Sequence, residues 1–320
     1  MTLTTHHLAF TATALTPVAL GEQSGSAVRG ALAGALWERF CTNKTAPACV
    51  GCPLTNVCPV AALLAPLRDE EQQGGEQRPR PYVTRPPVDG AHTYAPGEPL
   101  AFGLALFGSA AALYPYVVMA AHELERGGLG LRMPQLGGRR GTLRLSEIAA
   151  VDPLTGVRQP LYTIGGGQVK QPGLPIDADA VRTYAAALPA DRITLRLHTP
   201  LRLIEQNRLL KRIALRPLIQ RLMRRLDDLA IAYGDGPLGL DFRALLDVAE
   251  SVQVVADQTR WVDVVSVSHR QQRRTPIGGL VGSVTFAGDL RMLRELLVWG
   301  SLIHVGRNCV KGDGWYAIEY

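Results

Sequence analysis

Apolar and polar positions along the chain change period several times, and each change marks an element. Residues 3–14, LTTHHLAFTATA, mix apolar and β-branched residues as a first strand does. The stretch SGSAVRGALAGALWERF then repeats at helical spacing. Val28, Leu32, Ala35 and Leu36 share a face that Trp37 and Phe40 extend, so a helix is predicted over 24–40 with Ser24 as its N-cap. Residues 68–99 are polar and rich in Pro and Gly, a surface excursion with an extended piece around Tyr82–Pro86. A buried strand is expected at 100–107 and a helix at about 109–126. Together they include an uncharged run, 101–121, long enough to span a bilayer. Its two glycines, its serine, Pro115 and its strand-like first part favour the strand and helix instead. A glycine-rich arm follows, carrying Arg132, Arg139, Arg140 and Arg144, and residues 151–190 read as an interdomain connection.

The second half restarts with a strand at 192–203. A basic helix is expected over roughly 208–232, with Leu209, Ile213, Leu218, Leu222 and Leu226 as its buried stripe and Pro217 kinking it. Strand-like pieces at 251–258 and 260–268, a strand at 279–287, a helix at 289–301 and a last strand from Trp315 complete the pattern. Strand, helix, strand, strand, helix, strand is the order of a split βαβ, ferredoxin-like unit, and the first half follows a looser version of it. The expected architecture is α+β: two ferredoxin-like (RRM-like) domains in tandem. The first takes residues 1–150, 151–190 connect, and the second takes 191–320.

Charge sharpens the division. Residues 1–190 hold 15 Lys and Arg against 14 Asp and Glu, while 191–320 hold 19 against 14, so the second domain is the candidate face for a polyanion. Of the 34 basic residues 30 are arginine, the side chain that forks onto phosphates. No Lys or Arg precedes the first apolar stretch, so no export signal is expected and the chain is read as cytoplasmic.

Two clusters carry candidate chemistry. Cys41, Cys49, Cys52 and Cys58 form C-x7-C-x2-C-x5-C within 18 residues, an insertion (41–58) in the first domain. Without signs of export, that spacing points to a four-thiolate metal site, structural because its coordination is closed. Zinc is the default, and the Cys-Pro pairs leave an iron–sulfur cluster as the alternative. The second cluster is the terminal stretch GSLIHVGRNCVKGDGWYAIEY, where Gly306, Gly312 and Gly314 interleave with Arg307 and Lys311. Glycines permit close backbone approach to a ligand, and the basic side chains suit a phosphodiester. The spacing is neither a dinucleotide fingerprint nor a P-loop.

The last sixty residues give these pieces a family setting. The run Ser268–Gln271, the Gly-Gly-Leu-Val-Gly of Gly278–Gly282, Gly288–Asp289 and the terminal glycine loop resemble the C-terminal region of CRISPR-associated precursor-crRNA processing endoribonucleases of the RAMP superfamily. The helix SGSAVRGALAGAL, the clustered cysteines and FGLALFG resemble the N-terminal part of one branch of that family. The loop departs from the family pattern at Asn308, Cys309, Val310 and Lys311, and has Asp313 between glycines.

The resemblance implies cleavage of repeat RNA by attack of a ribose 2′-hydroxyl on the adjacent phosphate, with no catalytic metal. That chemistry needs a proton-transfer group and a cation for the phosphorane. His304, beside the basic loop, is the first candidate for the former; His269 is second, and His6 and His7 are third. Lys311 and Arg307 are the cations. Candidate RNA contacts are Arg270, Arg273, Arg274, Arg291, Gly306, Gly312, Gly314, Arg221, Arg224 and Arg225, with steeply salt-dependent binding. Arg29 could also reach RNA, though a solvated charge is the simpler reading. The implied partners are CRISPR repeat RNA and other Cas effector subunits, and no membrane. The competing function is a RAMP subunit that holds RNA without cutting it.

Overall fold

The computed structural model describes residues 3–66, 78–268 and 273–320, the side chains of 266–268 and 273–274 excepted. Its first half contains β1 (Thr5–Ala14), α1 (Ser24–Phe40), β2 (Tyr82–Arg85), β3 (Pro99–Phe107), α2 (Tyr114–Gly127), β4 (Leu143–Val151) and β5 (Arg158–Thr163). These strands form one antiparallel sheet in the order β2-β3-β1-β4-β5. Without the edge strand β5, that is the ferredoxin-like order, with α1 and α2 as the two crossovers.

The second half contains α3 (Ala178–Ala187), β6 (Arg192–Leu201), α4 (Leu215–Tyr233), α5 (Phe242–Ser251), β7 (Gln253–Asp257), β8 (Arg260–Val262), β9 (Gly279–Ala287), α6 (Arg294–Ile303) and β10 (Tyr316–Glu319). Its sheet runs β7-β9-β6-β10, again antiparallel, and β8 pairs with β9. The same order therefore occurs twice, as the element pattern of the sequence led one to expect.

Strand faces explain how the halves join. On β1, Leu8, Phe10, Ala12 and Ala14 pack beneath α1 and α2, and Phe10 stacks on Phe102 with ring centroids 5.0 Å apart. The other face of β1 buries Thr5 and His7. On β3 exposed and buried residues alternate up to Phe102, then every residue from Gly103 to Phe107 is buried. The second domain covers this end of the first sheet, since Val83, Ala105 and Phe107 share a core cluster with Leu222, Leu226 and Leu229 of α4. That second cover is why the period-2 pattern lapses there.

Several local expectations change. Ser24 is the first residue of α1 rather than its cap; Gln23 precedes the helix, and the Ser24 hydroxyl donates to the Pro87 carbonyl at 2.9 Å. Residues Gly108–Leu113 form a 3-10 turn, so α2 begins at Tyr114 with Pro115 in its first turn. Pro217 likewise lies in the first turn of α4, where a missing N–H costs nothing, so it starts the helix instead of kinking it. Leu209 belongs to a hairpin over 204–209, turned by Gln206 and Asn207 with positive φ. The stretch expected to be a connection carries β5 and α3, and α5 lies where no element was expected. Among the described residues no helix is long and apolar enough to cross a membrane; the uncharged run 101–121 divides between β3, the 3-10 turn and α2.

Candidate functional site at the glycine-rich loop

The loop between α6 and β10 is fixed from both sides. Within the second domain, Val305 N–H donates to the Gly314 carbonyl, Gly314 N–H to Pro200 and Arg307 N–H to Arg202, at 3.0–3.1 Å. The Thr199 hydroxyl donates to Gly312 at 2.7 Å and accepts from Trp315 N–H at 2.9 Å. From the first domain, the Thr84 hydroxyl donates to the Val310 carbonyl at 3.2 Å and Gln23 Nε2 to Asp313 Oδ1 at 3.2 Å. The start of α1 rests on the loop so closely that a Cβ on Gly25 would run into the Lys311 carbonyl.

Gly312 and Gly314 thus have a different use from the one expected. Both are buried, and their N–H groups donate to Cys309 and Pro200 rather than facing outward. Gly312, with φ 89°, leaves space for Pro86, and Gly314, with φ 71°, for the Val305 carbonyl. They allow docking instead of cradling an anion. Gly306 is half-buried at the loop's outer edge.

His304 is fully buried. Its ring lies parallel to Trp315 with centroids 6.1 Å apart. Its φ of 60° and ψ of 165° are otherwise glycine's territory, a strain typical of functional segments. Arg225 holds that backbone, donating to the carbonyls of Ile303 and His304 at 3.0 Å. Burial, with Arg85 and Arg225 nearby, pushes the His304 imidazole well below its usual pKa. His7 is depressed likewise by burial, Arg85 and His304. Arg85 reaches from β2 to the Ser301 carbonyl at 3.1 Å and lies over Trp315 at 5.4 Å, so this group joins the domains.

A second group, partly open to solvent, gathers around Lys311. Lys311 is half-buried, and burial together with Arg29 and Arg80 lowers its ammonium pKa, against the pull of Asp313. Arg80 is depressed by burial and by Arg29, and is anchored through Nε, which donates to the Leu64 carbonyl at 2.8 Å. Arg29 stands on α1 with its Nε buried and without a hydrogen-bond partner among the described residues. Asp313 is 2% exposed; burial raises its carboxyl to about 7, although Asn308, Gln23, Lys311 and Arg202 oppose the shift. Three cations from α1, the segment before β2 and the glycine loop therefore lie near one another, and the desolvated Asp313 carboxyl acts on Lys311 among them. Clustered, partly desolvated cations of this kind give the site a positive local field that attracts an anion.

The remaining predicted contacts divide. Arg307 and Arg224 are exposed, and both make the Arg221 guanidinium easier to deprotonate, after burial, so these three are close. Arg221 donates Nε to the Ile204 carbonyl at 3.0 Å, and Arg225 is occupied at the end of α6; both are scaffold in this arrangement. Arg291 is exposed but paired with Asp289. His269 and Arg270 lie outside the described residues; Arg273 and Arg274 lie on a strand, Arg273–Pro276, whose first two side chains are not described. The half-buried His6 has its pKa lowered by burial. Sequence reasoning left Arg29 as a solvated charge and passed over Arg80 and Gln23.

The four clustered cysteines line one pocket with Trp37, Asn43 and Leu54. Cys41 ends α1, Cys49 and Cys52 flank a short turn, and Cys58 precedes the helix Pro59–Leu64. Asn43 donates to Cys52 Sγ at 3.6 Å. Among the described residues no group of three His, Cys, Asp or Glu side chains is placed to hold a metal ion. The donor set fits a thiophilic metal in kind but not in its present spacing.

Two family models match the chain, each over a different part. A family model described as an N-terminal domain matches residues 3–174. The model described as CRISPR-associated endoribonuclease Cas6 matches residues 195–316. The chain is similar in fold to a Cas6 product complex (14% identity, TM-score 0.56, 98% of this chain and 100% of that one). It is similar to Thermus thermophilus Cas6 (13%, TM-score 0.53, all of both chains). It also resembles part of a Cas6-RT-Cas1--Cas2 complex (11%, TM-score 0.62, 99% of this chain and 46% of that one). A comparison with curated protein sequences finds no match.

Proposed function

We propose that this chain, which belongs to the CRISPR-associated endoribonuclease family Cas6, binds CRISPR repeat RNA and cuts the precursor without a catalytic metal. The observation that carries the reading to a site is the convergence of Arg29, Arg80 and Lys311 at the docked glycine loop. The scissile phosphate would sit against these three cations, and Arg307 at the exposed edge would hold a neighbouring phosphate.

In this mechanism the 2′-hydroxyl oxygen bonds to phosphorus as the bond to the 5′-oxygen breaks. The 2′-hydroxyl proton leaves to solvent, and a proton reaches the departing 5′-oxygen. The products are a 2′,3′-cyclic phosphate and a 5′-hydroxyl. Lys311 and the two arginines stabilise the charge that develops on the phosphorane oxygens. Burial and the same arginines make the Lys311 ammonium a stronger acid than an ordinary lysine, which suits it to protonate the leaving oxygen. His304 remains the alternative acid–base group, but its buried ring would first have to leave its stack on Trp315.

Variants separate the two. Lys311→Ala should lower single-turnover cleavage of repeat RNA roughly 10²- to 10³-fold, the scale of losing one transition-state donor, while RNA binding changes little. His304→Ala should cut within about tenfold of wild type. The reverse pattern would move the acid–base role to His304. Binding without cutting by the wild-type chain would favour a RAMP subunit that only holds RNA. We extend the partners to other Cas subunits, a reading supported by the Cas6-RT-Cas1--Cas2 likeness. Zinc held by Cys41, Cys49, Cys52 and Cys58 is proposed as a structural ion, with an iron–sulfur cluster as the alternative.

A further inference from the structure

We infer that Trp261, with Lys211 and Arg202, forms a stacking platform for an unpaired nucleobase next to the glycine loop. This rests on the RNA-processing reading and adds a subsite to it. Trp261 lies on β8, half-buried, and packs against the core of the second domain. Its Nε1 donates to Asp263 Oδ1 at 2.8 Å, which fixes the in-plane orientation of the indole. Over the ring stands the Lys211 ammonium, 3.4 Å from the centroid, and the Arg202 guanidinium lies 5.9 Å away.

The cover is of the kind that a ligand displaces. Lys211 is exposed, in the segment that follows the hairpin over 204–209. A cation held over an aromatic ring at the surface gains less than a base stacked on it, so a base would replace the ammonium. Once lifted, the ammonium would be free to meet the phosphate beside that base. Arg202 is fixed, donating Nη1 to the Gly278 carbonyl at 2.9 Å. Its own carbonyl accepts from Arg307 N–H at 3.1 Å, so one residue spans the platform and the basic loop. A strand bound at the loop would therefore meet this indole next. Every base offers a π-face, so the platform selects for unpaired bases, not for sequence.

The test uses two fluorescein-labelled probes: a repeat hairpin with unpaired flanks and the same hairpin trimmed to a blunt duplex. Trp261→Leu, which keeps apolar packing but removes the aromatic face, and Trp261→Ala should bind the flanked RNA roughly tenfold more weakly, the scale of one lost base stack. Both should bind the blunt duplex like wild type, and Trp261→Phe should restore most of the flanked affinity. Unchanged affinity for the flanked RNA, or an equal loss on both probes, would overturn the platform while leaving the RNA-processing reading standing. Failure of the wild-type chain to bind either probe would overturn that reading and the platform with it.

Discussion

Asp313 illustrates how burial sets the chemistry of single residues here. Its carboxyl is pushed up to about 7, against about 4 for an ordinary aspartate, chiefly by burial. Between those values the folded chain holds a proton that the unfolded chain has lost. Stability is therefore fullest below the ordinary carboxylate pKa and falls as pH rises towards 7, by about 1.4 kcal/mol per unit at most. Asp313→Asn should remove that slope, so the variant gains on wild type from pH 5 to 7 in urea unfolding; parallel profiles would refute the raised pKa. Lys311 was legible in the sequence as one of few lysines, set among glycines. Arg29 was not, because nothing on α1 reveals that the far end of the chain docks on Gly25 and brings Lys311 beside it.

At the scale of elements, local pattern carried most of the reading. The alternation of β1, the helical stripe of α1 and the strand at β9 are visible because one face of each meets a core. It failed where context reassigns a residue, as when Pro217 opens α4 instead of bending it. The cysteine cluster belongs to this scale too. Its four thiols line one pocket between the end of α1 and the helix Pro59–Leu64. A bound zinc would draw them together and tie the two helices. Metal analysis of the purified chain should find about one zinc per chain, and chelation should lower the melting temperature; absence of metal with unchanged melting would refute the site. A visible absorption band lost on reduction would instead indicate an iron–sulfur cluster.

For the whole molecule, two similar sheets meet so that the loop of the second domain is completed by the first. The tandem arrangement could be read from the repeated element order, since strand–helix–strand–strand–helix–strand leaves few ways to close an antiparallel sheet. The joint could not. It is built from His7, Arg85, His304 and Trp315, which in the sequence are scattered polar and aromatic residues with no shared period. That joint buries the histidine favoured from sequence, which is why the cationic group of Arg29, Arg80 and Lys311 is the face proposed to meet RNA.

The most direct measurement is cleavage of repeat-containing precursor RNA by the purified wild-type chain in EDTA, with the chemistry of both new ends determined. Undiminished cutting that leaves a 2′,3′-cyclic phosphate and a 5′-hydroxyl is expected. Cutting that stops with chelation and returns with a divalent cation, or that leaves a 5′-phosphate, would contradict it.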